Sequence, residues 1–276
     1  MTLFQTIIIS IVEGLTEFLP VSSTGHMIIA QNLLGVRQGD PFVHAFTFII
    51  QFGAILSVVC LYWKHFFQMR NRKEFLQKMK FYGLLIIGVI PAVFIGLFAK
   101  ESGLLDFLLD SVNVVAVMLV IGGIFMLFVD RIFNKGTDQN KVTTKRAFMI
   151  GLFQCISVIP GVSRSMATIV GGMAQKLTRK RAAEFSFFLA VPTMAGATLL
   201  DLLDMLKAGT TWATSHNIFL LVLGCAIAFV VAMLAMKWFV GFLMKHGFRP
   251  FGWYRIIIGA IILILLATGH SLVIAG

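Results

Sequence analysis

The sequence predicts an all-α polytopic membrane protein with six transmembrane helices plus two re-entrant helical hairpins in an inverted-topology repeat. Composition is the first reason: the 276 residues are 58% hydrophobic and 13% charged, with a mean hydropathy of +0.92. Soluble domains have about 25% charged residues, so most of this chain must use lipid as its solvent. The second reason is internal similarity, because four segments of the first half recur in the second at offsets of 136–140 residues.

We therefore expect a single integral membrane domain over residues 1–276, with internal repeats at approximately 1–135 and 141–276. Six apolar segments are each close to the length of about 20 residues that crosses the hydrocarbon layer. They are Ala45–Trp63, Phe81–Ala99, Val112–Val129, Phe185–Leu203, Ile218–Met236 and Tyr254–His270. Arg255 lies near the start of the last segment, where its side chain could extend to the cytoplasmic interface.

Two further apolar segments, residues 4–34 and 147–175, are interrupted by polar residues around Pro20 and Pro160. Each segment predicts two short helices joined by a polar turn. Backbone of this kind is tolerated at membrane depth only when it is buried in protein or lines a cavity. We expect each segment to form a re-entrant hairpin, with the two broken tips meeting near the middle of the membrane.

The two hairpins begin the two similar halves. Pro20-Val-Ser-Ser-Thr-Gly resembles Pro160-Gly-Val-Ser-Arg-Ser at an offset of 140, and Leu119-Val-Ile-Gly-Gly-Ile resembles Ile256-Ile-Ile-Gly-Ala-Ile at an offset of 137. If each half contains one hairpin and three crossings, the odd number of crossings gives the halves opposite orientations.

This arrangement places eighteen Lys and Arg residues on one side of the membrane and three on the other. The basic loops are 64–80, 131–146, 176–181 and 237–249, and the three residues opposite are Arg37, Lys100 and Lys207. Such a bias predicts that the basic side is cytoplasmic and that both termini lie outside. It also accounts for the net charge of +11 without a nucleic-acid partner.

Ionisable residues at membrane depth cost at least about 2.5–3.5 kcal/mol, so each one suggests a function. The first hairpin contains Glu13, Glu17 and His26. The two glutamates are four residues apart and share a helix face, where their like charges repel unless a proton, a cation or a basic partner is present. Solvation of the pair at the outer interface is the alternative.

Hydroxyl groups open the second helix of this hairpin, because Ser22, Ser23 and Thr24 follow Pro20. Such residues cap helices, and a free helix N-terminus also binds phosphate. Capping alone is the simpler interpretation of each residue taken singly. His26, three residues beyond Ser23, could face the same anion as nucleophile or general acid–base group.

The second hairpin repeats this design with a change of charge, because Ser163, Arg164 and Ser165 follow Pro160. The guanidinium of Arg164 is a forked donor suited to phosphate oxygens. Arg164 could instead be the structural partner of one of the glutamates. Together the two tips predict a pocket for a phosphate group, with a metal ion at the two glutamates.

These motifs resemble a known family. Glu13-Gly-Leu-Thr-Glu-Phe-Leu-Pro-Val-Ser-Ser-Thr-Gly-His26 closely resembles the first signature of the undecaprenyl-diphosphate phosphatase family, also known as bacitracin-resistance proteins. Pro160-Gly-Val-Ser-Arg-Ser165 resembles the second signature, and Glu184-Phe-Ser-Phe-Phe-Leu-Ala-Val-Pro192 is also similar to the family. The resemblance covers essentially the whole chain. One departure is Met166, where the family often has glycine.

The resemblance implies an integral membrane phosphatase that hydrolyses undecaprenyl diphosphate to undecaprenyl phosphate and inorganic phosphate. This activity would recycle the lipid carrier for cell-wall synthesis and confer bacitracin resistance. It further implies a multi-pass protein of the bacterial plasma membrane, a divalent metal (Mg²⁺ or Ca²⁺), and a site that opens to the periplasmic or outer side. By resemblance, the active-site positions are Glu13, Glu17, Ser23, His26 and Arg164, with Glu13 and Glu17 at the metal and Ser22, Thr24, Ser163, Arg164 and Ser165 at the phosphate.

Several alternatives stay open at this point. The nucleophile could be Ser23, His26 or a water molecule that His26 activates. A polyprenyl-phosphate flippase or transporter is the alternative function, because broken helices in inverted repeats are typical of transporters. The expected partners are the lipid substrate and membrane lipids, and a homodimer is also open.

Overall fold

A computed structural model describes residues 1–37, 39–104, 108, 111–209, 212–269 and 272. In this part of the chain all regular elements are helices. In chain order they are α1 (Leu3–Thr16), α2 (Ser23–Leu33), α3 (Pro41–Leu61), α4 (Trp63–Phe67), α5 (Arg72–Glu101), α6 (Val112–Ile132), α7 (Thr144–Cys155), α8 (Arg164–Ala174), α9 (Arg179–Ala208), α10 (Ser215–His246) and α11 (Arg249–Ala267). A short 3₁₀ turn, Ile156–Val158, follows α7.

Six of the described helices, α3, α5, α6, α9, α10 and α11, are long and apolar enough to cross a membrane. They coincide with the six predicted spans. His270, the last residue of the sixth predicted span, lies outside the described residues. Several extend beyond the predicted limits, as α5 does by starting at Arg72 and α9 by starting at Arg179. The reason is that hydropathy marks only the part of a helix in hydrocarbon, whereas the hydrogen-bonded backbone continues into the polar interface.

The surface of these helices is apolar. The most apolar part of α5 has a mean hydropathy of 2.4, yet only 22% of it is buried within the protein. Phe94 and Phe98 are among the large side chains that α5 exposes. A water-soluble protein rarely exposes apolar patches of this extent. The chain is therefore a multi-pass membrane protein, with six described helices long and apolar enough to cross the membrane.

The two interrupted segments form pairs of short helices, as the sequence predicts. Helices α1 and α2 have 14 and 11 residues, and α7 and α8 have 12 and 11. None of them reaches the length of about 20 residues that crosses the hydrocarbon layer. The two members of each pair contact each other. We refer to each turn, together with the first two residues of the helix that follows it, as a tip. The first tip is residues 17–24 and the second tip is residues 156–165.

The long helices surround the tips. Helix α10 packs against α1 and α3, while α7 packs against α5, and α8 against α9. Helix α6 lies along α11, and α3 lies against α9. Phe18 of the first tip is fully buried and its ring contacts that of Phe187 on α9 edge to face, with 5.6 Å between the centroids. The polar residues of both tips are thus enclosed by apolar helices.

Candidate active site

A pocket of about 250 Å³ lies where the two tips meet. The first hairpin contributes Glu17, Ser22, Ser23 and Thr24; the second contributes Ser157, Ile159, Pro160, Gly161, Ser163 and Arg164; α3 and α9 contribute Gln51, Thr193, Met194 and Ala197. Nine of these fourteen residues have a hydroxyl, amide, carboxylate or guanidinium group. Glu13, His26 and Ser165 are not among its lining residues.

In both tips, the residue that directly precedes the second helix is a serine with an unusual backbone. Ser22 has φ 71° and Ser163 has φ 60°, a region that residues other than glycine rarely adopt. Such conformations cost about 1–3 kcal/mol each and are found mainly at functional sites. Each strained serine directly precedes a helix, so Ser23 and Arg164 become the first residues of α2 and α8.

The carboxylate of Glu17 joins the two tips. Ser23 Oγ donates a hydrogen bond to Glu17 Oε2 at 2.7 Å, and Arg164 Nη2 donates to Glu17 Oε1 at 3.3 Å. The side chains of Arg164 and Glu17 are only 11% and 8% exposed. Opposite charges this well buried are costly unless paired, so the ion pair fixes one tip against the other. The structure therefore brings together Glu17, Ser23 and Arg164, three of the predicted active-site residues.

Arg164 keeps donors that the protein does not use. Its Nη1 donates to the carbonyl oxygen of Ser186 at 3.3 Å, and its guanidinium lies 5.8 Å from the ring centre of Phe18. Its Nε is buried without a hydrogen-bond partner among the described residues. A guanidinium has five N–H donors, so Arg164 can bind an oxyanion in the pocket while it stays close to Glu17.

Glu13 lies one helical turn before Glu17 and is almost completely buried, with 1% exposed. Its Oε1 has no hydrogen-bond partner in the described part of the chain. No cluster of three or more His, Cys, Asp and Glu residues that could hold a metal occurs among the described residues. Magnesium, however, is commonly held by one or two carboxylates together with phosphate oxygens and waters. The free oxygen of Glu13 beside Glu17 fits such a cation.

His26 is held by two other groups. Its Nδ1 donates to the carbonyl oxygen of Ser22 at 2.7 Å, and its Nε2 lies 2.7 Å from the hydroxyl oxygen of Tyr254. Because a carbonyl oxygen only accepts, the neutral ring carries its proton on Nδ1, and Tyr254 donates to Nε2. Within the described structure His26 forms no hydrogen bond to Glu17 or Ser23. Its partner Tyr254 is 228 residues away along the chain, and the sequence analysis did not predict this contact.

The hydroxyl residues of the second tip differ in their surroundings. Ser163 Oγ accepts from the backbone N–H of Met166 at 3.3 Å, which caps α8, and lies 3.0 Å from Ser165 Oγ. Ser165 is fully buried and donates to the carbonyl oxygen of Leu19 at 2.8 Å. Ser163 thus lines the pocket, whereas Ser165 connects the second tip to the first. Ser22 and Thr24 line the pocket from the other side.

We expected from the sequence that the side chain of Arg255 could extend to the interface, but it points into the protein. It is fully buried, and its guanidinium contacts both tips. Hydropathy locates a residue along the membrane normal but not around the helix axis, so it could not show that Arg255 points inward. The available signal was a charged residue inside an otherwise apolar span.

Comparisons with known proteins agree with these observations. The family described as Bacitracin resistance protein BacA matches residues 6–261. A Porphyromonas gingivalis protein named undecaprenyl-diphosphatase is 51% identical, over 99% of this chain and all of its own length. Proteins of the same name from Flavobacterium psychrophilum and Bdellovibrio bacteriovorus are 52% and 49% identical, each over 99% of both chains.

The ion pair of Glu17 predicts a loss of stability in Glu17→Ala. Breaking a buried pair usually costs about 3–5 kcal/mol, because the remaining charge has no partner. The neighbouring Glu13 carboxylate offsets part of this cost, yet we expect a clearly lower midpoint of thermal unfolding in detergent. Asp204→Asn is the control, because Asp204 pairs with lysines at an exposed position and should change the midpoint little. Equal midpoints for wild type and Glu17→Ala would contradict the assignment.

Proposed function

Because the chain belongs to the family described as Bacitracin resistance protein BacA, we propose that it is an integral membrane phosphatase that hydrolyses undecaprenyl diphosphate. The name undecaprenyl-diphosphatase, carried by relatives that align over 99% of this chain, supports the substrate. The observation that carries the proposal is the Glu17 carboxylate, which binds a hydroxyl of one tip and the guanidinium of the other beside a pocket. The products are undecaprenyl phosphate and inorganic phosphate.

In this proposal the enzyme recycles the lipid carrier for cell-wall synthesis and confers resistance to bacitracin. It resides in the bacterial plasma membrane. The diphosphate head enters the polar pocket, while the polyprenyl tail stays in lipid against exposed apolar helix faces. The apolar surfaces of α5 and α10 support this division. A homodimer stays a prediction.

The close contact between Ser23 and Glu17 supports Ser23 as the nucleophile. Ser23 Oγ attacks the terminal phosphorus, and its proton passes to Glu17 Oε2. The bridging P–O bond breaks, and undecaprenyl phosphate leaves with the electron pair. A water oxygen then attacks the phosphorus and the phosphoserine P–O bond breaks. Ser23 Oγ takes up the proton from Glu17 Oε2, and both protons of the water stay with the inorganic phosphate, which is released as dihydrogen phosphate.

Arg164 stabilises the negative charge on the transferred phosphoryl group, for which its unpartnered Nε supports a role. Ser22, Thr24 and Ser163, which line the pocket, contact the other phosphate oxygens. Ser165 acts through Ser163, because their hydroxyl oxygens are 3.0 Å apart. The first backbone N–H groups of α2 and α8 add further donors near the same group.

Glu13 and Glu17 would hold a divalent cation, Mg²⁺ or Ca²⁺. Its chemistry would be to neutralise charge on the phosphate oxygens. Glu13 is suited to this task because its free, buried Oε1 otherwise has no compensating partner among the described residues. Glu17 turns one oxygen to Ser23 and the other to Arg164, so Glu13 supplies the stronger attachment.

His26 acts in this proposal by shaping the first tip. Its bond to the Ser22 carbonyl oxygen supports the strained backbone just before Ser23. A direct attack by His26, or activation of water by it, would require the ring to leave Ser22 or Tyr254. The transport alternative has no comparable support, because the relatives reported above all carry a diphosphatase name.

We also propose that the two helix pairs are re-entrant hairpins within an inverted repeat. The matching φ angles of Ser22 and Ser163, each before a helix of 11 residues, support the repeat. So do the packing partners, since α1 packs on α10 as α7 packs on α5. The charge bias supports cytoplasmic basic loops and outer termini. The family resemblance supports an opening of the pocket toward the outer side.

The nucleophile can be identified by trapping the intermediate. We expect acid-quenched enzyme with substrate labelled at the terminal phosphate to carry an acid-stable phosphoserine, which Ser23→Ala lacks. Phosphate release by Ser23→Ala should fall by about 1,000-fold or more, as for other removed nucleophiles. Ser215→Ala, at the exposed start of α10, is the control and should behave like wild type. A second sample is quenched with alkali, in which phosphohistidine is stable. A phosphohistidine found there and lost in His26→Gln would identify His26 as the nucleophile instead of Ser23, and full activity of Ser23→Ala would favour water.

The metal proposal predicts phosphate release by purified protein in detergent that EDTA abolishes and that added Mg²⁺ or Ca²⁺ restores. Glu13→Gln should need at least about 10-fold more Mg²⁺ for half-maximal activity, because it removes one charged ligand. Arg164→Ala should be inactive at all metal concentrations. An unchanged Mg²⁺ requirement in Glu13→Gln would exclude Glu13 as a ligand, and wild type that releases no phosphate with metal present would contradict the proposed function.

The orientation can be tested by thiol labelling in intact cells. In a chain without Cys60, Cys155 and Cys225, we expect a membrane-impermeant reagent to label Arg37→Cys but not Lys141→Cys. Both positions are exposed, so accessibility in detergent should be equal and serves as the control. Labelling of Lys141→Cys alone in cells would reverse the proposed orientation.

A further inference from the structure

The guanidinium of Arg255 is the most unusual buried charge outside the pocket. It is fully buried, and none of the ion pairs in the described residues involves it. All its acceptors are backbone carbonyl oxygens: Nε donates to Leu119 at 3.4 Å, Nη1 to Pro20 at 3.3 Å, and Nη2 to Met118 at 3.1 Å and Gly161 at 2.7 Å. A buried charge without a carboxylate partner is expensive, so its position requires an explanation.

Two of these acceptors hold the same place relative to the strained serines of the two tips, an offset of 141 residues, whereas the sequence motifs pair Pro20 with Pro160 at an offset of 140. Pro20 lies two residues before the strained Ser22, and Gly161 lies two residues before the strained Ser163. The backbone is not helical there, so these carbonyl groups have no partner in a helical ladder. An unpaired carbonyl at membrane depth costs several kcal/mol, and one guanidinium satisfies both. Arg255 therefore joins the two tips through their backbone, although the tips are far apart along the chain.

The other two acceptors fix the guanidinium itself. Met118 and Leu119 belong to α6, which lies along α11, the helix of Arg255. A Cβ atom on Gly122 would overlap the guanidinium, so the glycine makes room for it. A lysine, with three donors on one nitrogen, could not span carbonyl groups of three separate segments as the planar fork does.

The same part of α11 also reaches the catalytic helix α2. Tyr254, the neighbour of Arg255, donates to Nε2 of His26. Arg255 itself does not line the pocket, so it cannot contact a substrate there. Its influence must pass through the tips. The distance between the tips sets the separation of Glu17 and Arg164, which come from different tips.

We propose that Arg255 is a positioning residue for phosphoryl transfer: it holds the Pro20 and Gly161 carbonyl groups, and with them Glu17 and Arg164, at a fixed separation. This role rests on the proposed phosphatase function. Displacement of a catalytic group by about 1 Å can lower a rate 100-fold while substrate binding changes little. A merely structural role would lower the number of folded sites and leave the turnover of each folded site unchanged.

The first test is kinetic. Arg255→Met and Arg255→Lys are purified as full-length chains, and active sites are counted as the folded, monodisperse fraction of the protein in detergent. We expect kcat per active site to fall about 100-fold in both variants, with KM for undecaprenyl diphosphate within about 3-fold of wild type. Full kcat per site in Arg255→Lys would overturn the need for the fork, and full kcat per site in Arg255→Met would overturn the positioning role.

Two glycine variants test whether the position of the Arg255 guanidinium matters when the arginine itself is kept. Gly122→Ala leaves Arg255 intact but occupies its space, so we expect the same loss of kcat per site. Gly83→Ala is the control, because a Cβ atom there meets nothing within 4 Å. Equal kcat values for Gly122→Ala and Gly83→Ala would contradict the proposal.

A second test does not depend on activity. Spin labels at Leu33→Cys, at the end of α2, and Lys176→Cys, just beyond α8, report the separation of the two hairpins. In a chain without native cysteines, Arg255→Met should broaden or shift the distance distribution, and Gly83→Ala should not. An unchanged distribution in Arg255→Met would overturn the proposal even in a fully active enzyme. Wild type without phosphatase activity would instead overturn the proposed function.

Discussion

The structure depends on one constraint: every backbone polar group at membrane depth needs a partner within the protein. The chain interrupts its helices twice at turns that apolar helices enclose, between α1 and α2 and between α7 and α8. Side chains supply the missing partners at both turns. Arg255 donates to the carbonyl groups of Pro20 and Gly161, and Ser165 donates to that of Leu19. Because these bonds cross between the tips, satisfying the backbone also brings the residues of the site together.

The buried charged groups near the two tips also need partners within the protein. The region contains two carboxylates, Glu13 and Glu17, and two guanidinium groups, Arg164 and Arg255. The two arginines have different surroundings: Arg164 shares its donors between the protein and the pocket, whereas Arg255 uses its donors on carbonyl groups. Only the first can therefore bind an anionic ligand. Glu13 Oε1 has no hydrogen-bond partner in the described protein, so an uncompensated negative charge at this position would be costly.

Much of this could be predicted from the sequence, for identifiable reasons. The six apolar helices follow from hydropathy, and Glu17, Ser23 and Arg164 could be grouped because their motifs interrupt two apolar segments in the same way. The repeat and the sidedness were predicted as well and stay predictions. Contacts between distant segments could not be predicted. His26 binds Tyr254, and Arg255 turns into the protein, because helix rotation and packing decide these contacts, and neither is encoded in local periodicity.

The single guanidinium between two matching carbonyl groups bears on how such a chain could evolve. The segments that begin at Leu119 and Ile256 resemble each other at an offset of 137 residues. At this offset the residue of the first half that corresponds to Arg255 is Met118. These two residues contact each other, as Arg255 donates to the Met118 carbonyl oxygen. In a homodimer of identical half-length subunits, two arginines would compete for this one place and repel each other. If the proposed repeat arose by fusion of two such halves, the fused chain would avoid that conflict, because one half can carry the cation while the other has methionine at the matching position.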